Sequence, residues 1–151
     1  MAKPDQNEMV VIVEDNDDDF EAIERALLHG GNFAGTIKRC LSGQAVLNFL
    51  NSLEVRGASD DGLLPGLIIL DLNLLGLTGH EVLSHIKRDP RWRMVPVVVL
   101  TSSTAPRDVD ACYRAGANAY LRKEMELDTL YAAVARLKEF WLEAAVLPSL
   151  R

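Results

Sequence analysis

The stretch LIILDLNLLG, from Leu67 to Gly76, decides how the rest of the chain is interpreted. Four apolar residues in a row are typical of a strand that helices cover on both faces, as in the middle of a parallel sheet. A carboxylate, Asp71, follows this run directly, and the apolar pattern then resumes around Asn73. On its own, such an aspartate is explained as well by a turn as by a function. The neighbouring segments have to decide between the two.

The composition of the chain limits the class of protein. With 151 residues, 48% of them hydrophobic and 25% charged, the sequence has the size and balance of one globular domain. The first residues lack the long apolar core that is typical of a signal peptide, and no apolar run is long enough for a membrane span. The net charge of −6 argues against a nucleic-acid partner, and the small basic group at 87–93 is interpreted as a solvated helix end and loop at the rim of a protein contact. Cys40 and Cys112 lack metal-binding spacing and are expected to be buried thiols in a cytoplasmic protein.

Short apolar runs alternate with helical patterns along the whole chain. Strands are predicted at 9–13, 35–40, 67–70, 96–100 and 118–121. Helices are predicted from 17 to about 30, after a cap at Ser42, and at 78–88, 106–115 and 127 to about 145, with a loop at 51–65. This order predicts an α/β fold, a doubly wound (βα)5 sandwich of the flavodoxin-like type with a five-stranded parallel sheet.

Polar side chains follow four of the five predicted strands. Glu14 and Asp15 follow the first strand, Asp71 the third, Thr101 the fourth and Lys123 the fifth. In open parallel sheets, binding sites form at the carboxyl ends of the strands. Each residue alone has an ordinary structural explanation, but their coincidence at one edge of the sheet predicts a common site.

The residue types at this edge suit phosphoryl transfer. The carboxylates of Glu14, Asp15 and Asp71 would repel one another unless a cation lay among them. Oxygen ligands without histidine or cysteine favour a hard ion such as Mg²⁺. Asp71 is then a candidate nucleophile that forms an acyl phosphate, with Thr101 as hydrogen-bond donor and Lys123 as neutralising charge.

Four segments resemble the response regulator receiver domains of two-component signalling: VIVEDNDDDF, LIILDLNL, VVVLTSS and NAYLRK, in the family's order. The resemblance implies a receiver domain at residues 8–142 and a tail at 143–151 without an output domain. It implies that Asp71 accepts a phosphoryl group from a histidine kinase. The chain would act in signalling rather than as a conventional enzyme, with self-catalysed phosphotransfer and autodephosphorylation as its only reactions.

The resemblance also implies roles for the other site residues. Asp15 and the backbone carbonyl of Asn73 would bind Mg²⁺, with Glu14 assisting through water. Thr101 and Lys123 would contact the phosphoryl group. Thr101 and the aromatic Tyr120 would rearrange together on phosphorylation, although Tyr120 by itself is equally an ordinary strand residue.

One departure from the family pattern affects the site directly. The family usually has proline after its active-site lysine, whereas Glu124 follows Lys123 here. The peptide between them is therefore either a strained cis bond or a trans bond that presents Lys123 differently. Asp17, Asp18 and Asp19 are interpreted as residues that favour the positive end of the first helix.

Other functions remain alternatives at this point. An aspartyl phosphatase of the haloacid dehalogenase type also uses a magnesium-bound aspartate, but it needs a second aspartate where this chain has Asn73. A flavin-binding module of this fold class needs a phosphate-binding loop after the first strand, where this chain has EDNDDD. A degenerate receiver that acts only as a binding module would not need the complete set of site residues.

The last helix predicts a contact with a second copy of the chain. Its apolar residues recur at spacings of three and four, ending at Trp141. The helix is about 28 Å long, more than a short sheet covers, so Phe140, Trp141 and Leu142 are predicted to form a homodimer interface. The ending FWL with a terminal VLP also resembles single-domain response regulators of bacterial phytochrome kinases. This implies a bacteriophytochrome as the kinase.

Overall fold

A computed structural model describes residues 9–31, 33–55 and 64–150. The strands are β1 (Met9–Val13), β2 (Thr36–Cys40), β3 (Pro65–Leu70), β4 (Val97–Thr101) and β5 (Ala119–Arg122). The α-helices are α1 (Asp17–Leu28), α2 (Gly43–Val55), α3 (Gly79–Arg88), α4 (Pro106–Ala115) and α5 (Leu127–Lys138). A 3₁₀ turn, His29–Gly31, follows α1, and a π-helical segment, Glu139–Ala144, continues α5. The predicted alternation of strands and helices is confirmed.

The five strands form one parallel sheet in the order β2-β1-β3-β4-β5. This is the predicted doubly wound, flavodoxin-like arrangement. The chain reverses its direction of winding between β1 and β3, which places a crevice above the carboxyl ends of these two strands. Val13 of β1 lies opposite Leu70 of β3 and Cys40 of β2. The residues that follow these strands therefore emerge at the same level of the sheet.

Helices cover both faces of the sheet. The core on one face joins the sheet to α2, α3 and α4, and the core on the other face joins it to α1 and α5. Alternate residues of a strand point to opposite faces, so β1 contributes Val11 and Val13 to the first core and Val10 and Ile12 to the second. All of β1 is buried, as expected for a strand with helices on both sides.

The segment predicted as a loop at 51–65 is shorter than expected. Helix α2 begins after Ser42, whose hydroxyl accepts a hydrogen bond from the backbone N–H of Ala45 as predicted, but it continues to Val55. Pro65 is the first residue of β3, a position where a strand tolerates proline. The prediction was wrong at both ends of the loop, and residues 56–63 lie outside the described part of the chain.

The end of the last helix differs from the prediction. After Lys138 the chain winds as a π-helix, and the next buried apolar residue after Leu137 is Leu142, whereas Trp141 is only half-buried. The wider π-helical turn explains this five-residue step. Leu142 is only 7% exposed and packs in the core between α1 and α5, so its predicted exposure was wrong. Trp141 is half-buried, whereas Phe140 is 56% exposed.

Two simpler predictions can be compared with the fold. Cys40 and Cys112 are both buried free thiols, as predicted. Among the described residues, none of the helices combines the length and the apolar character that a membrane crossing requires.

Candidate acidic site at the carboxyl edge of the sheet

Backbone hydrogen bonds beyond the strand ends hold the site residues in place. The N–H of Asp71 donates to the carbonyl of Val13 at 3.1 Å, so Asp71 lies beside the end of β1. The N–H of Lys123 donates to the carbonyl of Thr101 at 2.6 Å, so Lys123 lies beside the end of β4. The parallel ladder thus brings side chains from four strands to one edge, as the sequence predicted.

Three of these side chains form a compact acidic group. One carboxylate oxygen from each of Glu14, Asp15 and Asp71 lies within 4.8 Å of the others. Glu14 is 1% exposed and Asp71 is 5% exposed, so water compensates little of the repulsion between them. An all-oxygen group of this size fits a hard divalent cation.

Lys123 supplies the positive charge that the acidic group needs. Its ammonium lies 2.5 Å from Glu14 Oε1, 3.2 Å from Asp71 Oδ2 and 3.0 Å from Asp19 Oδ2. Burial lowers the pKa of Lys123, but its bonds to these carboxylates outweigh that effect and raise the pKa above its ordinary value. Lys123 is therefore charged over the whole physiological range.

The contact with Asp19 was missed at the level of sequence. Asp19 was interpreted only as a residue that favours the positive end of the first helix. In the structure Asn16 caps α1 by accepting from the N–H of Asp19, which leaves the Asp19 carboxylate in the first turn above the sheet edge. No local sequence pattern signals this contact, because Asp15 precedes the cap of α1 and Asp19 meets Lys123 only once the chain has folded.

The Glu14 carboxyl has a shifted pKa. Burial raises the pKa to about 7, because desolvation outweighs the hydrogen bond that Glu14 accepts from Lys123. The charge of Asp71 acts in the same direction. Binding of a cation would favour the charged form of Glu14, so protonation and cation binding oppose each other here.

Asn73 links Asp71 to the end of β4. Its backbone N–H donates to Asp71 Oδ1 at 3.1 Å, and its side-chain amide lies 3.5 Å from Thr101 Oγ1 and 3.4 Å from Ser102 Oγ. Thr101 is fully buried. Hydrogen bonds through Asn73 therefore connect Asp71 at the end of β3 with Thr101 at the end of β4.

Helix α3 begins directly behind Asp71. The N–H of Gly79 donates to the carbonyl of Leu72, and the Thr78 side chain caps the helix by accepting from the N–H of Glu81. A Cβ atom on Gly79 would lie 2.4 Å from the Asp71 carbonyl oxygen, closer than such atoms approach. Glycine at this position allows the helix to support the backbone that presents Asp71.

Two further sequence expectations concern β5. The Tyr120 hydroxyl donates to the backbone carbonyl of Ser103 at 2.8 Å, so this half-buried aromatic contacts the loop after β4. The described part of the chain contains no cis peptide bond. The bond between Lys123 and Glu124 is accordingly trans, and Lys123 still reaches Asp71 and Glu14.

Comparisons with known proteins identify the family. The sequence model of the response regulator receiver domain matches residues 10–135. The chain belongs to the response regulator receiver family. It is 41% identical over 134 residues to the probable methanogenesis regulatory protein FilR2 of Methanothrix harundinacea, covering 89% of this chain and 83% of the relative. It is 36% identical over 145 residues to the response regulator Rcp1 of Synechocystis sp., covering 93% of each.

Solved structures agree with the sequence relatives. The Mn(2+)-bound form of Rcp1 has a TM-score of 0.83 at 34% identity and covers 94% of this receiver and 99% of that chain. The phosphorylated cyanobacterial phytochrome response regulator RcpA has a TM-score of 0.85 at 35% identity and covers 95% of this receiver and 99% of that chain.

The comparisons therefore confirm the predicted family and its phytochrome-associated relatives. The receiver is a phosphoacceptor protein of two-component signalling. They do not favour the alternative of a haloacid dehalogenase-type phosphatase.

Proposed function

We propose that Asp71 is the residue of this receiver that becomes phosphorylated, with a phosphohistidine of a histidine kinase as the donor. The observation that carries the proposal is the convergence of Asp71 with Glu14, Asp15 and Lys123 at the carboxyl edge of the sheet. An oxygen of the Asp71 carboxylate forms a bond to phosphorus while the bond from phosphorus to the histidine nitrogen breaks. The electron pair of the broken bond returns to the imidazole of the donor.

The acidic group would bind Mg²⁺ through Asp15 and Asp71, with Glu14 assisting through water and the carbonyl of Asn73 as a further ligand. The all-oxygen donor set and the repulsion among the carboxylates support a hard divalent cation. The Mn(2+)-bound form of Rcp1 also supports a divalent metal at this edge. When bound, Mg²⁺ would supply positive charge next to the oxygens of the transferring group.

Lys123 and Thr101 would act on the same group. The Lys123 ammonium, already 3.2 Å from Asp71 Oδ2, would neutralise charge on a phosphoryl oxygen. The Thr101 hydroxyl would donate a hydrogen bond to another oxygen, and its movement would be accompanied by a rearrangement of Tyr120. Autodephosphorylation would reverse the modification: water attacks phosphorus and the Asp71 carboxylate leaves, releasing inorganic phosphate.

The kinase in this proposal is a bacteriophytochrome. The similarity to Rcp1 and to the phytochrome response regulator RcpA supports that assignment. The buried free thiols of Cys40 and Cys112 support a reducing compartment such as the cytoplasm. We further propose a receiver domain at residues 8–142, followed by a tail at 143–151.

A homodimer through the end of the last helix is also part of the proposal. Phe140 and Val146 are 56% and 89% exposed, and Phe140 packs edge-on against Trp141 with ring centroids 5.0 Å apart. Exposed apolar side chains of this size support a protein contact. Phe140 and Trp141 remain candidate interface residues, whereas Leu142 packs within its own chain. Phe140→Ser should lower the molar mass measured by light scattering, and Met94→Ser should not, since Met94 is 51% exposed but lies in the segment between α3 and β4.

Intact mass spectrometry tests the central proposal. Wild type, Asp71→Asn and the control Asp110→Asn are incubated with acetyl phosphate, with and without Mg²⁺. We expect a Mg²⁺-dependent gain of one phosphoryl group in wild type and in Asp110→Asn, since Asp110 is exposed on α4, and no gain in Asp71→Asn. The same gain in Asp71→Asn would contradict Asp71 as the acceptor. No gain in folded wild type would favour the degenerate receiver.

A further inference from the structure

We propose that Asp108 and His80 are positioning residues that hold the loop after β4 in its resting place and so limit how fast Asp71 becomes phosphorylated. The inference rests on the proposed function of Asp71. It concerns a chain of contacts that joins α3, α4 and the loop at residues 102–105, outside the acidic site itself.

Ser103 is the point at which this loop is held. Its hydroxyl donates to Asp108 Oδ2 at 2.5 Å and accepts from the N–H of Ala105 at 3.4 Å. Its backbone carbonyl accepts the hydrogen bond from the Tyr120 hydroxyl. The loop is therefore fixed through a side chain to α4 and through its backbone to β5.

Asp108 also connects the loop to α3. Its second oxygen, Oδ1, lies 3.4 Å from His80 Nε2, and His80 Nδ1 lies 3.7 Å from Cys112 Sγ. The hydrogen bond from Ser103 and the nearby positive charge lower the pKa of Asp108, so the carboxylate is charged at neutral pH. His80 is thus held between two residues of α4.

Both ends of the chain of contacts lie next to the phosphorylation site. His80 follows Gly79, which packs against the Asp71 carbonyl, and Ser103 is two residues from Thr101. The contacts therefore connect the backbone behind Asp71, through α3 and α4, to the loop that follows Thr101. The Thr101 hydroxyl is the group expected to bind the phosphoryl group. A restraint of this kind has to be demonstrated by coupling rather than by proximity.

The direction of the effect follows from what the Thr101 hydroxyl has to do. When the Thr101 hydroxyl approaches a phosphoryl group on Asp71, Ser103 has to move as well, because it is only two residues away. This movement lengthens the hydrogen bond between Ser103 and Asp108. Stretching that charge-assisted bond raises the free energy of the approach. Removal of the Asp108 carboxylate should therefore speed phosphorylation.

The experiment measures the initial rate of phosphorylation by acetyl phosphate and Mg²⁺ with intact mass. Asp108→Ala should react about three- to tenfold faster than wild type, the range expected for the loss of one hydrogen bond. Asp108→Asn keeps an oxygen that can accept from Ser103 and should return the rate toward wild type. Asp110→Ala removes an exposed carboxylate from the same helix and should leave the rate unchanged.

A second variant, His80→Ala, removes the contact between Asp108 and α3 but keeps the hydrogen bond between Ser103 and Asp108. It should raise the rate less than Asp108→Ala, and the double variant should match Asp108→Ala because both act through one chain of contacts. Equal rates for wild type, His80→Ala and any folded Asp108→Ala overturn the inference, as does a slower rate. Absence of phosphorylation in wild type overturns the proposed function instead, so the two failures are distinguishable.

Discussion

At the scale of single residues, Lys123 balances the charge of the site. One ammonium contacts three carboxylates that come from α1 and from the ends of β1 and β3. Without that ammonium, the buried carboxylates of Glu14 and Asp71 would lose their ion-pair partner. Two of these carboxylates, Glu14 and Asp71, are also candidate metal ligands, so Lys123 and a divalent ion would stabilise the same two charges.

The variant Lys123→Met should lower the free energy of unfolding in the absence of metal by about 2–4 kcal/mol, because it leaves buried carboxylates unpaired. Adding Mg²⁺ should stabilise this variant more than wild type, because the ion replaces the missing charge. Urea denaturation with and without Mg²⁺ measures both effects. The control is Arg122→Met, since Arg122 is 63% exposed and lies 3.7 Å from Glu124. Equal stability of the two variants without metal would contradict the role of Lys123.

At the scale of secondary-structure elements, two helix ends set the geometry of the molecule. The start of α3 supports the Asp71 backbone through Gly79. The end of α5 changes to a π-helix and thereby turns Leu142 toward the core. In both cases the geometry of one helix end determines where a residue lies: Asp71 at the edge of the sheet, and Leu142 in the core.

Gly79→Ala should destabilise the protein by about 1–3 kcal/mol, because the new methyl group would overlap the Asp71 carbonyl oxygen and the backbone has to shift. The shift should also slow phosphorylation of Asp71. Thermal unfolding and intact mass measure the two effects. Gly31→Ala is the control: its φ of +69° disfavours alanine as well, but nothing lies within 4 Å of the added atom. It should be destabilised without any change in phosphorylation.

Leu142→Ala should destabilise the monomer by about 2–4 kcal/mol, since it removes a buried side chain from the core between α1 and α5. Phe140→Ala should change the stability by at most about 1 kcal/mol, because Phe140 is 56% exposed and its ring packs edge-on against Trp141. Urea denaturation at a protein concentration that keeps the chain monomeric compares the two. A larger loss for Phe140→Ala would show that the helix continues in α-helical register and buries a different face.

At the scale of the whole molecule, the sheet and its two helical layers bury groups that would otherwise titrate. Cys112 is fully buried where α4 packs on the sheet, and it contacts His80 of α3. Burial raises the pKa of the Cys112 thiol to about 11, and the charge of Asp108 contributes. The folded protein therefore favours the neutral thiol more than the unfolded chain does.

This shift predicts how stability depends on alkaline pH. The unfolded thiol titrates near 9.0 and the folded one near 11, so the contribution of Cys112 is complete below pH 9 and is lost as the pH rises toward 11. Wild type should lose about 1–2 kcal/mol more than Cys112→Ala between pH 9 and pH 11. Urea denaturation at several pH values measures the difference. Parallel curves for the two proteins would contradict it.

The sequence by itself determined the fold and the chemistry of the site. Apolar runs and helical periodicity are local properties, and their alternation already specified a parallel sheet with helices on both faces. Because parallel strands end at a common edge, the positions of Asp71, Glu14 and Lys123 after their strands were enough to predict that they meet.

Only the tertiary structure decided the contacts that depend on side-chain direction and helix phase. Lys123 and Glu14 are separated by 109 residues, and no local pattern specifies that Asp19 joins them. Likewise, the sequence predicted Leu142 at an exposed interface together with Phe140 and Trp141, but packing against α1 and the π-helical turn bury Leu142. Such contacts follow from the relative placement of distant elements, because packing energy and charge pairing act through space and not along the chain.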